Sequence, residues 1–161
     1  MEGWRDFFVA EVGAAAAFAG LLFVSLSVNQ ARILNLSALP ERGLQALSSI
    51  FLVFALGSIA LVPDQGPKLF GAEAFAVVVL QVVILTWLQI ASFRITDRPY
   101  RRRSITTSVV GQAASWAFLI GSALLMVRTD WLGLAWYAPG VILAFFFAGA
   151  TSWVLLIEIN R

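Results

Sequence analysis

The chain has 161 residues, of which 60% are hydrophobic and only 12% charged, with a formal net charge of +2. A water-soluble domain carries about a quarter of its residues charged, so this composition excludes one and requires lipid as the solvent. Cysteine and histidine are absent, which removes disulfides, thiol catalysis, zinc sites, histidine-ligated haem and any serine–histidine triad.

The first six residues are polar apart from Met1, Gly3 and Trp4, and Trp4 is placed as an interfacial anchor. The apolar run after them is too long for the core of a secretory signal, and no cleavage site follows it. It reads as a first membrane span over residues 7–29, with Glu11 near its start. A polar break carrying Arg32, Pro40, Glu41 and Arg42 leads to a second span, 43–63. That stretch is long enough to cross a hydrocarbon layer of about 30 Å at about 1.5 Å per helical residue. Pro63 to Lys68 reads as a turn, making spans two and three antiparallel neighbours.

Span three, 72–94, begins beside Glu73. After it comes a basic stretch, Arg94 to Arg103, that holds five of the eleven lysines and arginines. Span four, 104–127, ends at the tight connection Arg128 to Asp130. Span five covers 137–158, with Pro139 in its first turn, where a missing N–H costs nothing, and Trp131 to Ala138 lying in the interface. The fold class expected is an all-α integral membrane protein, a compact bundle of five transmembrane helices.

Five spans put the termini on opposite sides. If the basic loop is cytoplasmic, eight of the basic residues lie inside and three, Arg5, Lys68 and Arg128, lie outside. The positive-inside rule therefore predicts an external N-terminus and a cytoplasmic C-terminus. In that arrangement Trp4, Trp131, Trp136 and Tyr137 form an outer aromatic belt. Most acids fall on the outer side, which gives a mouth that concentrates cations.

Small residues form a stripe on span one, with Gly13, Ala17 and Gly20 at its centre, and again on span five, with Gly140, Ala144 and Ala148. Such stripes let helices approach closely in lipid, so the two spans are expected to pair with each other or with a symmetry mate. Polar residues in the later spans, Ser108, Gln112, Ser115 and Ser122 on span four and Gln81 on span three, are expected to face the bundle interior. There they serve as interhelical hydrogen bonds or, on a sharper reading, line a polar path.

Glu11 and Glu73 are the acids that could form a polar or cation site near one surface. Arg98, Arg101, Arg102 and Arg103 are expected to hold their loop in the cytoplasm and to contact anionic lipid headgroups or a partner. No phosphate loop, metal-ligand cluster or activated nucleophile is present, so no cofactor, metal, nucleic acid or enzymatic activity is expected.

The opening WRDFFVAEVGAAAAFAGLLFVSLSVNQARIL and the following LPERGLQAL resemble the N-terminus of an uncharacterised family of small bacterial multi-span membrane proteins, some labelled "modulator of FtsH protease". The resemblance is strongest over Trp4 to Leu47. It implies a bacterial inner-membrane protein with a regulatory association and assigns no catalytic residues. The leading expectation is a non-enzymatic membrane protein acting by helix association, as an accessory subunit or a homo-oligomer. The alternatives are a homo-oligomeric cation channel or small transporter with an acidic outer mouth, and a binder of lipid or another hydrophobic ligand, to which Trp87, Trp116 and Trp153 inside the spans point.

Overall fold

A computed structural model describes residues 2–28, 39–95, 101–128 and 130–159, with side chains throughout except at 2, 39, 93–95, 101–104, 106–107 and 154–159. Five long helices account for nearly all of it: α1 Glu2–Val28, α2 Leu39–Ala60, α3 Pro67–Ile95, α4 Arg101–Val127 and α5 Tyr137–Ile159. A short 3-10 helix, Leu132–Trp136, leads into α5. No strand occurs among the described residues. All five helices are long and apolar enough to cross a membrane.

Four of the five helices begin earlier than the apolar runs suggest, and α5 begins at Tyr137 as expected. Pro40 and Pro67 stand in the first turns of α2 and α3, positions where proline's fixed φ suits the helix and its missing N–H is no loss. Pro139 likewise falls in the first turn of α5. Between α2 and α3 the chain turns through Asp64, whose φ of 58° is the only positive value at a non-glycine among the described residues; aspartate tolerates this left-handed conformation better than most residues.

Helices α2, α3, α4 and α5 pack side by side in a closed ring of antiparallel neighbours, and α1 lies outside it against α2. One end of the bundle gathers the turn at 61–66 and the 3-10 helix. The other carries the three arginines that open α4. The contacts run in consistent antiparallel register: Gly57 of α2 sits at Val12 of α1, Gly43 at Leu26, Gly71 of α3 at Ser122 and Leu125 of α4, and Gly140 of α5 at Phe118 of α4. At Gly71 a Cβ would lie 2.9 Å from the Met126 nitrogen and the Ser122 carbonyl oxygen, so here backbone meets backbone, a close approach that small residues permit in lipid.

The two small-residue stripes have different fates. Gly140, Ala144 and Ala148 are buried within the ring, and Gly140 receives the Phe118 ring. On α1, Ala10, Gly13, Ala17, Gly20, Val24 and Ser27 are all exposed, and a Cβ at Gly13 or Gly20 would meet nothing within 4 Å. What α1 turns inward is a different set, Phe8, Glu11, Ala15 and Leu22. It is the least buried of the five helices.

Candidate functional site

The buried centre of the turn end is aromatic. Phe8 of α1, Phe70 of α3, Phe118 of α4 and Tyr137 of α5 are all fully buried, and the Tyr137 ring lies 5.4 to 6.1 Å from the other three. Tyr137 was expected in the interfacial belt. The 3-10 helix before it turns its ring inward instead, while Trp136 stays exposed and Trp4 and Trp131 are half-buried. The Ser122 hydroxyl donates to the Phe118 carbonyl at 2.7 Å and stands 2.8 Å from the Tyr137 hydroxyl. Its single hydrogen being committed there, Tyr137 is the donor to Ser122.

Glu11 points from α1 into this centre. It is only 4% exposed, and neither carboxyl oxygen has a hydrogen-bond partner among the described residues. Oε1 faces Gly57 of α2, where an added Cβ would stand 3.7 Å away. Burial of an unpaired carboxyl costs several kcal/mol. Glu73, by contrast, is exposed and accepts a hydrogen bond from the Gln65 amide, tying the turn to α3. The two acids therefore sit in different surroundings, one in the core and one at the surface.

The polar residues of α3 and α4 are consumed in small groups. Gln81 donates to Ser48 of α2 at 3.3 Å. Ser115 bonds to Gly111 of its own helix, a local back-bond that satisfies a serine in apolar surroundings. Gln112 donates to the Thr86 hydroxyl at 3.1 Å and to the Gln89 side-chain oxygen at 3.2 Å, and the Gln89 amide donates to the Ser108 main-chain carbonyl at 3.4 Å. Each interhelical bond of this kind contributes about 0.6 kcal/mol in lipid. Thr86 escapes a reading of the sequence alone, because its role depends on which residues α4 places opposite it.

Beside that last group a groove of about 480 Å³ opens on the outer face between α3 and α4. Trp116 lines it and is 54% exposed; Trp87 and Trp153 are exposed as well. The tryptophans inside the spans thus face outward and are not core packing. Of the arginine cluster, Arg98 lies outside the described residues, and Arg101, Arg102 and Arg103 form the first turn of α4, their side chains outside the description. At the turn end, Arg128 bonds to Asp130 through two nitrogens at 3.0 to 3.2 Å, which holds the Asp130 carboxyl below its ordinary range and raises the guanidinium. Among the described residues no group of three or more metal-ligating side chains occurs. No family model, curated protein or solved structure matches the chain.

Proposed function

We propose that this chain is a multi-pass protein of the bacterial inner membrane that acts without chemistry of its own, by lateral association in the bilayer as a homo-oligomer or as a regulatory subunit. One observation carries the reading: the small-residue face of α1 is open along its length, from Ala10 to Ser27. In lipid there is no hydrophobic drive to hide such a face, and its value lies in letting another helix approach closely. The matching stripe on α5 is already used inside the ring, which leaves α1 as the helix free to associate. The arrangement of the polar residues supports the same reading, since they join helices in separate groups. The likeness of Trp4 to Leu47 to a family labelled as protease modulators agrees with a regulatory association.

The absence of cysteine makes a direct test simple. A single thiol introduced as Ala17→Cys is expected to form a disulfide-linked dimer in membranes if copies meet through α1, and Gly20→Leu in the same chain is expected to abolish it. A chain that stays monomeric under mild solubilisation, yields no cross-link at Ala17 and brings no partner with it would remove the basis of the proposal.

A further inference from the structure

We propose that the groove between α3 and α4 at the arginine end is a binding site for one anionic glycerophospholipid, a property independent of association through α1. Its rim is apolar and open to the surroundings, with Val109, Ala113 and Trp116 all exposed. Its floor is polar, formed by Gln89, Ser108 and Gln112, of which the first two are buried. Gln112 spends both amide hydrogens on Thr86 and Gln89, and Gln89 spends one on Ser108. One Gln89 N–H and the Gln112 carbonyl are left without a partner among the described residues. A groove facing hydrocarbon alone has no use for them, whereas the ester and glycerol oxygens of a lipid do.

The depth of the groove selects the occupant. The uncharged run of α3 ends at Phe93, four residues after Gln89, and that of α4 begins at Ser104, four residues before Ser108. The polar floor thus begins about one turn inside the apolar belt, with Trp116 two turns deeper along the acyl region. Arg101 lies three residues before Ser104, about 4.5 Å along the helix axis beyond the start of the uncharged run, which is within the headgroup layer. Arg101, Ile105, Ser108 and Gln112 follow one another at spacings of four, three and four, so the arginine-bearing first turn continues the face that carries the groove. Phosphate at that turn, glycerol esters over Gln89 and Gln112, and an acyl chain along Val109 and Trp116 use every feature of the site. Each basic residue near an anionic surface contributes about 1 kcal/mol.

The test uses the full chain, stripped of lipid in detergent and offered phosphatidylglycerol or phosphatidylcholine with the same acyl chains, the retained lipid being counted by native mass spectrometry. Phosphatidylglycerol is expected to stay bound at one per chain and phosphatidylcholine to be lost. Ala113→Trp, which fills the groove from an exposed position, is expected to weaken retention about tenfold, whereas Leu80→Trp on the exposed face of α3 leaves it unchanged. Circular dichroism of both variants separates loss of the site from loss of the fold. Retention indifferent to Ala113→Trp in a folded chain would overturn the proposal, leaving only a charged surface. So would equal retention of the two lipids, or displacement of phosphatidylglycerol by inorganic phosphate, which would identify a headgroup site without a groove.

Discussion

Glu11 concentrates the tension in this molecule at the scale of one residue. The helical face that turns Phe8, Ala15 and Leu22 inward also carries position 11 inward, and the carboxyl arrives where no donor among the described residues meets it. Apolar packing around Phe8 and Tyr137 therefore holds a side chain that is itself unfavourable there. Replacing an unsatisfied buried polar group by an apolar one of similar size is neutral or stabilising, by about 1 to 3 kcal/mol. Glu11→Leu is thus expected to raise the temperature of unfolding in detergent. A fall would show that Glu11 has a partner in the assembled state and that its retention is structural. Tyr137 and Ser122 illustrate the satisfied alternative, a buried hydroxyl pair with every hydrogen assigned.

Among the helices, glycine separates two kinds of contact. Gly71 lies where α3 and α4 touch through their backbones, and Gly13 lies on the open face of α1. Leucine has the higher helix propensity, by about 0.8 kcal/mol over glycine, so the local term favours the same substitution at both sites. Packing reverses the sign at one of them. Gly71→Leu is expected to cost more than about 1 to 3 kcal/mol, because the side chain has no space and the opposing atoms are main chain. Gly13→Leu is expected to leave the fold of the isolated chain intact or slightly more stable. Denaturation in detergent checks both, and a destabilised Gly13→Leu monomer would contradict the placement of that face. That the chain forms five long apolar helices was legible in the sequence, since length and charge spacing depend on local chemistry. Which stripe would be used was not. Gly140 and Gly13 look alike in sequence, and only the neighbours supplied by other helices bury one and leave the other bare.

For the whole molecule, the proposed orientation rests on the distribution of arginine. It predicts that Lys68→Cys is labelled by a membrane-impermeant thiol reagent from outside intact cells and that Arg161→Cys is labelled only after the membrane is opened; the reverse pattern would invert the topology. The ring of α2 to α5 with α1 on its flank places the three features of interest apart: the Glu11 centre at the turn end, the groove at the arginine end, and the α1 face along the side.

By itself the sequence determined that the chain forms five helices long and apolar enough to cross a membrane, and that histidine and cysteine chemistry is excluded, because composition and the length of uncharged runs settle these against the thickness of a bilayer. Only the tertiary structure decided that Tyr137 leaves the interface for the core, that Glu11 and Glu73 have different surroundings, and that Gln89, Ser108 and Gln112 floor a groove. These depend on rotation about each helix axis and on register between helices. Both are set by which side chains interlock, a property of pairs of helices that no single run of residues contains.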